Sequence, residues 1–551
     1  MATDSSYEVY EEKPPRGLIG RFFETAGQLL GLLYGWVYSN MQVKKVEGQA
    51  RSLGAIILRF YLFWGWLFVD KDLVKQPFDV QFRVRLERMG PTYIKLGQVL
   101  SLREDILPKA LTDELKNLLS ELPAVPYVRY KALIEDDLGR PISEMFALID
   151  ETPLGSASLA QSHRAELLTG EVVVLKVLKP GVRQTINTDT KLLRFFGWIL
   201  NLLIPRYQPK QLINEFSRYT LREVDLRFEA NNAEVFTANF VDEPDVRFPR
   251  IYRAFSNRDV LCMEYFAGRR PDAETAAQSP LAEREKVVDL GVSAIIQMIF
   301  QDGFFHADLH PGNLVIFEDG AVGFIDLGMV GRFDSNLQKR MLYYFYSLAQ
   351  GDAANAARYL TSIAEASKGS DAEGFRRAVE ELNNRWLRTP TFSEFSLGQL
   401  VLASIALAGR YRIRYPGEII LMVKALITVE GVGNQLIPDI NVTEISSKHI
   451  RKILIHQFNL VNIFKDGVLI IPELLDVLQR APLVLNQGLT FLEANFKTKQ
   501  QSPSNDALGT IFAVGLLIAA AIMAVGDISP LIWGGLIFIA FSVAGIELIR
   551  R

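Results

Sequence analysis

The sequence predicts an α+β fold of two lobes, in which a strand-rich half precedes a mainly helical half. Glu171 to Leu178 (EVVVLKVL) is rich in β-branched residues and ends at a turn signal, Lys-Pro-Gly. Val260 to Tyr265 is a second strand candidate, and Ile325 with its neighbours, between glycines 323 and 328, is a third. Pro209 to Asn239 and most of the chain beyond about residue 280 have helical periodicity. Strands grouped before helices argue against a parallel α/β sheet, in which the two alternate.

Length and composition exclude several classes of protein. The 551 residues exceed one ordinary domain, and 49% hydrophobic with 22% charged residues excludes general disorder. The net charge of -3, from 60 basic and 63 acidic residues, gives no reason to expect a nucleic-acid partner, and none is predicted. The single cysteine, Cys262, cannot form an intrachain disulfide, and no Cys/His cluster has structural-zinc spacing.

Two apolar segments near the N-terminus each contain a charge. Met1 to Pro15 is acidic and polar, so a secretory signal peptide is not expected. Leu18 to Met41 contains Arg21 and Glu24, and the aromatic segment Leu53 to Val69 has Arg59 in its middle. A charge at the bilayer centre costs roughly 2.5–3.5 kcal/mol on insertion scales. We interpret both segments as amphipathic or core helices, and the sequence leaves open whether they lie on a membrane or pack against the main domain.

The C-terminal region predicts two membrane-spanning helices. Leu508 to Val525 and Leu531 to Ile546 are uncharged, and a Gly-Asp-Ile-Ser-Pro turn separates them. Each nearly reaches the ~20 apolar residues that cross ~30 Å of hydrocarbon. By the positive-inside bias both ends, and the main domain, face the cytoplasmic side. A buried soluble hairpin is the alternative. The flanking cations are Lys497, Lys499, Arg550 and Arg551.

The strongest chemical signal is the stretch His306 to Asn313 (HADLHPGN), which has the Asp-x-x-x-x-Asn spacing of the protein-kinase catalytic loop. Thirteen residues beyond Asn313, Asp326 begins an Asp-Leu-Gly sequence where kinases have Asp-Phe-Gly. Phosphoryl transfer needs a carboxylate near the attacking oxygen and oxygen ligands for Mg²⁺. We therefore predict that Asp308 is catalytic and that Asn313 and Asp326 are metal ligands for Mg²⁺ bound with ATP.

A lysine upstream extends this set. Val173 to Lys176 (VVLK) resembles the kinase strand motif Val-Ala-Ile-Lys, whose ammonium holds the α- and β-phosphates. A lysine in a buried strand is costly unless it is paired, and Glu229 is the predicted partner. Alone, Lys176 would more often be a solvated edge-strand residue. Met263 and Glu264, in the second strand candidate, are also predicted to bind the nucleotide.

Two kinase elements are missing. No Gly-x-Gly-x-x-Gly sequence precedes Lys176, and no Ala-Pro-Glu element follows Asp326 within the usual range. A standard peptide-binding activation segment is therefore not expected. The hairpin in the glycine-loop position has small side chains that still admit phosphates, although Ala and Ser restrict φ more than Gly does. Its predicted nucleotide-binding residues are Gly155, Ser156, Ala157 and Ser158.

Further motifs make the chain resemble the UbiB family of atypical kinases and ATPases. Lys95 to Gln98 (KLGQ) is similar to the family's KxGQ motif, Glu223 to Asp225 (EVD) to its ExD motif, and the hairpin at Gly155 to its alanine-rich loop, usually Ala-Ala-Ala-Ser. The similarity covers roughly Pro77 to Asn441, and the C-terminal spans resemble those of bacterial members. The resemblance implies a two-lobed protein-kinase-like fold with an N-terminal helical KxGQ extension laid across the peptide entrance.

The resemblance also implies functions for these residues. Lys95 joins Asp308 and Lys176 in the catalytic set. Lys95 and Gln98 are regulatory residues that face Glu223 and Asp225 over the nucleotide. The implied activity is a membrane-anchored kinase or ATPase that uses Mg-ATP and supports isoprenoid quinone or prenyl-lipid metabolism. Its implied partners are quinone or prenyl-lipid precursors, membrane lipids and quinone-biosynthesis proteins.

Two other functions stay open at this point. A nucleotide-sensing membrane scaffold would bind ATP with little turnover, and an atypical protein kinase would act in trans. Aminoglycoside-type phosphotransferases share the catalytic-loop spacing, but they do not explain the KxGQ motif or the C-terminal spans.

The predicted domain divisions of the chain are residues 1–74, a polar N-terminus with amphipathic helices; 75–130, the KxGQ extension; 131–268, the N-lobe; 269–455, the C-lobe; 456–505, a helical linker; and 506–549, two transmembrane helices.

Overall fold

The computed structural model describes residues 17–46, 70–101, 103, 107–118, 123–203, 209–366, 369–388, 396–438, 445, 448–450 and 453. All of these lie in the first of two compact units, Met1–Leu454. The predictions for Leu53 to Val69, for the linker at 456–505 and for the two transmembrane helices fall outside the described residues.

In the described part of the chain, six α-helices precede the first strand. A glycine with φ of 95°, Gly90, ends the third helix, and Pro91 begins the fourth, as expected for glycine after a helix and proline at its first position. The fourth helix carries the KxGQ motif, and its buried Tyr93 and Ile94 pack with Leu115 and Phe216. The helices are α1 Leu18–Val46, α2 Lys71–Val74, α3 Phe78–Met89, α4 Pro91–Leu100, α5 Lys109–Leu115 and α6 Tyr127–Leu138.

An antiparallel sheet forms the core of the strand-rich lobe. Its strands are β1 Phe146–Ile149, β2 Gly155–Ser156, β3 Ala160–Leu167, β4 Val172–Leu178 and β6 Val260–Glu264. The short β5, Val246–Arg247, lies between β4 and β6 in the sequence but pairs with a strand of the second lobe. The order is β1-β3-β4-β6, with β2 paired to β3. The two strand predictions at 171–178 and 260–265 are confirmed to within a residue. Because β4 is flanked by β3 and β6, Lys176 lies on a central strand and not on an edge.

Among the described residues between β4 and β5 lie three helices: α7 Val182–Leu203, α8 Pro209–Glu223 and α9 Leu226–Asn239. The helical stretch predicted from Pro209 to Asn239 is therefore two helices. The break lies at Asp225, whose backbone is extended (φ -134°, ψ 94°) and whose side chain accepts a hydrogen bond from the Arg227 N–H. An aspartate in this position caps the new helix.

The second lobe is mainly helical, as predicted. Its helices are α10 Ala273–Gln278, α11 Leu281–Phe300, α12 Ser335–Ala349, α13 Ala353–Ile363, α14 Ala372–Arg388, α15 Leu397–Ala408 and α16 Gly417–Leu436. Its short strands are β7 Phe304–His306, β8 Leu314–Ile316, β9 Val322–Phe324, β10 Val330–Arg332, β11 Glu365–Ala366 and β12 Ile413–Arg414. The strand predicted around Ile325 is wrong in its position. The observed strand β9 ends at Phe324, because Asp326 has φ of 55°, which no strand accommodates.

Among the described residues, α16 is the one helix long and apolar enough to cross a membrane. Half of its most apolar window is buried within the protein. It packs against α11 and α15 and contributes Ile419, Met422 and Val423 to the C-lobe core. Since core helices of soluble proteins meet the same criteria, α16 is weak evidence for membrane association.

Candidate active site

Lys176 connects three separate elements. Its ammonium donates to both carboxylate oxygens of Glu229 on α9, each at 2.9 Å, and to Asp326 Oδ1, also at 2.9 Å. Lys176 and Glu229 are largely buried, whereas the Asp326 side chain is half-exposed. The arrangement gives the buried lysine the carboxylate partner that its position requires.

One cation between two carboxylates leaves this cluster with a net negative charge. Burial disfavours the ammonium, but the two carboxylates outweigh it, and the pKa of Lys176 lies above its ordinary value. Burial acts against ionisation of Asp326 too, yet the neighbouring ammonium holds its pKa well below the usual range. The pKa of Glu229 is raised to about 7, mainly by burial and also by the charge of the Asp326 carboxylate, although Lys176 acts in the opposite direction. Glu229 is therefore the carboxylate that takes up a proton first.

The catalytic loop is fixed through its main chain. His306 Nδ1 accepts a hydrogen bond from the Asp308 N–H at 3.0 Å, so its Nε2 donates to the Ile325 oxygen at 3.2 Å. The Asn313 side-chain nitrogen donates to the Asp308 carbonyl at 2.9 Å, and the Ile325 N–H donates to the Asn313 carbonyl at 2.9 Å. Burial lowers the pKa of His306, which keeps the ring neutral and able to accept. These bonds hold the loop beside the segment that carries Asp326.

The two predicted metal ligands are suited to Mg²⁺. Within the described ranges, Asn313 Oδ1 and Asp326 Oδ2 accept no hydrogen bond from the protein, while their other side-chain polar atoms are engaged. Asp326 adopts a left-handed backbone (φ 55°), a conformation that is uncommon for residues other than glycine and is concentrated at functional sites. The described residues contain no group of three or more His, Cys, Asp or Glu placed to hold a metal. Mg²⁺ needs no such group, since it binds through one or two side chains together with phosphate oxygens and water.

The hairpin in the glycine-loop position contributes only part of its sequence to the cavity around Lys176. Ala157 and Ser158 line this cavity, whereas Gly155 and Ser156 do not. Ser156 Oγ instead donates to the Pro123 carbonyl at 3.4 Å. A Cβ at Gly155 would meet no atom within 4 Å, and its φ is not in the left-handed region. The position therefore has room for the alanine that is usual in the UbiB family.

The KxGQ helix α4 reaches the same cavity through its lysine. Lys95 forms an ion pair with Glu223, the last residue of α8, and both residues line the cavity. Asp225 also lines it, but its carboxylate pairs with Arg227 and Arg258. The hydrogen bond from Arg227 is the main reason why the pKa of Asp225 is lowered. The structure thus places Lys95 against one acidic residue of the ExD motif and arginines against the other.

Besides Gly155 and Ser156, four predicted residues are not part of the cavity lining: Asn313, Gln98, Met263 and Glu264. Gln98 is one turn beyond Lys95 on α4, and its carbonyl accepts a hydrogen bond from Ser101 Oγ at 2.7 Å. Met263 is buried in the sheet, opposite Val174 in the β4–β6 pairing. Glu264 accepts a hydrogen bond from the Arg250 N–H at 3.2 Å.

Lys424 contacts Asp308 directly, and no sequence motif predicts this contact. Its Nζ lies 2.6 Å from Asp308 Oδ1, although it belongs to α16 and is 116 positions further along the chain. The one available signal is that Lys424 interrupts an otherwise uncharged run between Glu418 and Glu430. A charge in the middle of a buried helix needs a partner, but the sequence does not say which.

The fold and this cluster define an atypical kinase-like protein, with a lysine–glutamate pair, an aspartate in the catalytic-loop position and a hairpin that lacks the usual glycines in the glycine-loop position. The profile of the ABC1 atypical kinase-like domain matches residues 117–360, and that of the UbiB helical domain matches residues 382–441. The first of these contains every candidate residue of the lobes up to Asp326, and the second contains Lys424.

Relatives extend the match over most of the chain. It is 31% identical to an uncharacterised protein of Synechocystis sp. over 65% of its own length and 62% of that protein's. It is 30% identical to a probable protein kinase UbiB of Glaesserella parasuis, with 80% of each chain covered. It is 31% identical to the chloroplastic protein Activity of BC1 complex kinase 7 of Arabidopsis thaliana over 67% of its own length and 53% of that protein's. The chain belongs to the ABC1/UbiB family of atypical kinase-like proteins.

Solved structures give a weaker likeness. A Mycobacterium tuberculosis protein, in complex with erythromycin, matches 65% of this chain and 95% of its own at 22% identity and a TM-score of 0.41. A likeness at this score adds nothing to the family assignment.

Proposed function

We propose that this protein binds Mg-ATP between its lobes and acts as an atypical ATPase or small-molecule kinase. The observation that carries the proposal is the convergence of Lys176, Glu229 and Asp326 from a strand, a helix and a loop, beside Asp308. Lys176 would hold the α- and β-phosphates, and Asp308 would orient a water or an acceptor hydroxyl. Mg²⁺ held by Asn313 and Asp326 would neutralise charge on the phosphates.

The proposal is tested by nucleotide binding and turnover of the full-length protein. At millimolar Mg²⁺, wild-type protein should bind ATP. Asp308→Asn should keep that binding and lose about 10²–10⁴-fold in turnover, the usual contribution of a positioned acid–base group. The matched control is Asp319→Asn, which alters an exposed aspartate paired with Arg247 and should leave turnover unchanged. Absence of adenine-nucleotide binding by wild type would reject the site altogether.

A second candidate is a nucleotide-sensing scaffold with little turnover. The ion pair between Lys95 and Glu223 favours it, because this contact ties the KxGQ helix to the cavity where ATP would bind. ATP turnover with and without lipid vesicles separates the two functions. Turnover that Asp308→Asn abolishes supports the enzyme, and ATP binding without turnover in either condition supports the scaffold. A protein kinase acting in trans would instead label an added protein substrate.

The pathway we propose is isoprenoid quinone or related prenyl-lipid metabolism at a membrane. Support comes from family membership and from the predicted C-terminal spans. Quinone or prenyl-lipid precursors, membrane lipids and quinone-biosynthesis proteins would be the partners, with the kinase-like domain on the cytoplasmic side. Turnover that rises on addition of a prenylated phenol, but not of the isoprenoid chain alone, would support this assignment.

The outer surface of α1 gives independent support for contact with lipid. Its exposed stripe is apolar, and its buried side is mixed, with Arg21 and Thr25 in the first half of the helix and apolar residues further along. An ordinary surface helix turns polar residues outward. Phe22 stacks on Phe196 of α7, which joins the stripe to an exposed apolar face of that helix. Large exposed apolar patches mark interaction sites. The exposed residues are Ile19, Phe23, Leu30, Leu33 and Trp36 of α1 with Phe195, Trp198 and Leu202 of α7.

A further inference from the structure

The Asp308 carboxylate has a cationic partner from a distant helix. Lys424 Nζ lies 2.6 Å from Asp308 Oδ1, and the two side chains are 24% and 29% exposed. The same ammonium lies 3.7 Å from the sulfur of Met329. The Met329 carbonyl accepts a hydrogen bond from the Ala307 N–H at 3.0 Å. Lys424 therefore contacts both the catalytic loop and the segment that follows Asp326.

Folding of α16 does not explain this contact. Buried apolar residues on either side of Lys424, including Met422, Val423 and Ala425, already hold the helix in the C-lobe core. A partly exposed ion pair contributes little to stability. A charge within an apolar helix, paired with a residue that lines the cavity, is instead explained by a role in the site.

The main chain of Asp308 is held by hydrogen bonds, so its side-chain carboxylate is the part that can still rotate. Its N–H donates to His306 Nδ1 and its carbonyl accepts from Asn313, so the main chain is fixed from both sides. Lys424 engages Oδ1, while Oδ2 has no hydrogen bond or ion pair to any described residue. We propose that Lys424 is a positioning residue for phosphoryl transfer, which fixes Oδ1 so that Oδ2 faces the attacking oxygen.

This inference rests on the proposed ATP turnover. In hydrolysis, a bond forms between the water oxygen and the γ-phosphorus, and the bond from that phosphorus to the β–γ bridging oxygen breaks. The electron pair of the broken bond leaves with ADP, and Asp308 Oδ2 accepts the proton of the water. Lys424 stays protonated throughout. Its charge also offsets the negative charge that gathers where Asp308, Asp326 and the phosphates meet.

The test measures steady-state ATP turnover of full-length variants in one detergent or vesicle preparation. Lys424→Gln should lower kcat about 10- to 100-fold, the scale of loss from a misplaced catalytic group. The KM for ATP should change less than about threefold, since nucleotide contacts are kept. Lys424→Arg, which retains a cation, should recover part of kcat. The control Lys286→Met removes an equivalent but exposed pair with Asp245, 3.3 Å away, and should match wild type.

Each other outcome counts against the inference. Unchanged kcat in a folded, nucleotide-binding Lys424→Gln protein would overturn it. A raised KM at unchanged kcat would make Lys424 a nucleotide-binding group instead. If Lys424→Gln does not fold while Lys286→Met does, Lys424 serves the fold, and the positioning role is rejected. Absence of turnover in wild type would reject the proposed ATPase itself, a failure that the wild-type measurement alone identifies.

Discussion

At the scale of single residues, the site is governed by a shortage of cations around its carboxylates. Lys176 forms ion pairs with both Glu229 and Asp326. Lys95 is paired with Glu223, and Lys424 is paired with Asp308. Bound phosphates would add further negative charge, so the lysines must be shared or released when a nucleotide binds. Breaking the ion pair between Lys176 and Asp326 costs less free energy than breaking the pair with Glu229, because Asp326 is half-exposed and water can solvate its carboxylate.

The raised pKa of Glu229 predicts a pH dependence of stability. Its folded-state pKa of about 7 lies above the ordinary 4.5, so the folded protein binds more protons between these values. Wild-type stability should therefore fall as pH rises through this window, by up to about 1.4 kcal/mol per pH unit. Glu229→Gln carries no titrating group at this position. The unfolding free energy of Glu229→Gln minus that of wild type should increase from pH 5 to pH 8 in urea titrations. A difference that stays constant would show that Glu229 remains ionised in the folded protein.

At the scale of elements, the first half of α1 turns polar side chains inward, and these form a network with the KxGQ helix. The Arg21 guanidinium bonds Asp189 of α7 at 2.7 and 2.9 Å, and the Thr92 hydroxyl of α4 donates to the same carboxylate at 2.6 Å. Thr25 and Tyr93 share a further hydrogen bond of 3.1 Å. The charge that argued against a membrane span in Leu18 to Met41 is thus the one that fixes α1 to the protein.

Removing Arg21 should leave a buried charge without its partner. Asp189 is fully buried, so Arg21→Met should destabilise the protein by about 3–5 kcal/mol. Arg21→Met combined with Asp189→Leu should recover most of that loss. The control Arg88→Met breaks a largely exposed pair with Asp70 and should cost less than about 1 kcal/mol. Equal effects of the two single substitutions in chemical denaturation would contradict the network.

The glycine of the KxGQ motif has a packing reason in this structure. A Cβ at Gly97 would lie 2.3 Å from Leu118 Cδ1 and 2.8 Å from Leu86 Cδ1. Gly97→Ala should destabilise the protein. Overpacking costs about 1–3 kcal/mol of stability, which exceeds the gain of up to about 1 kcal/mol from the higher helix propensity of alanine. Gly27→Ala in α1, where a Cβ meets nothing within 4 Å, should show the gain alone. Thermal unfolding of both variants checks the pair, and stabilisation by both would mean that α4 is loosely packed.

At the scale of the whole molecule, membrane attachment is expected from two regions. The predicted C-terminal hairpin should keep the full chain in the membrane fraction after alkaline carbonate extraction, and release would contradict it. The apolar surface of α1 and α7 should lie against the same bilayer. Both regions lie on one chain, so binding alone does not separate them.

Site-specific labels separate these two attachments. Cys262 is buried, so a new surface cysteine is the one expected to react with a polarity-sensitive fluorophore. Labels at Phe23→Cys and Trp198→Cys, in full-length protein reconstituted into vesicles, should shift to the blue and be quenched by lipid-borne quenchers. A label at Val128→Cys, an exposed apolar position on α6 outside this surface, should not. Equal quenching at all three positions would contradict docking through α1 and α7.

Much of the site follows from local sequence. The Asp-x-x-x-x-Asn spacing and the Asp-Leu-Gly sequence each lie within a single loop, and β4 brings Lys176 to the cavity by simple alternation along a strand. The pairing of Lys176 with Glu229 was predicted because a buried ammonium requires a carboxylate. The catalytic roles of these residues remain predictions until turnover is measured.

Other features depended on packing between distant parts of the chain. The contact of Lys424 with Asp308 spans 116 positions, and no spacing rule connects a C-lobe helix with the catalytic loop. The inward direction of Arg21, the arginine partners of Asp225 and the absence of Met263 from the cavity lining are also tertiary. The sequence by itself determined which residues could bind a metal-bound nucleotide, because their chemistry is set by side-chain type and short-range order. Only the tertiary structure decided which charges neutralise each other, because ion pairing depends on distances that helix packing sets.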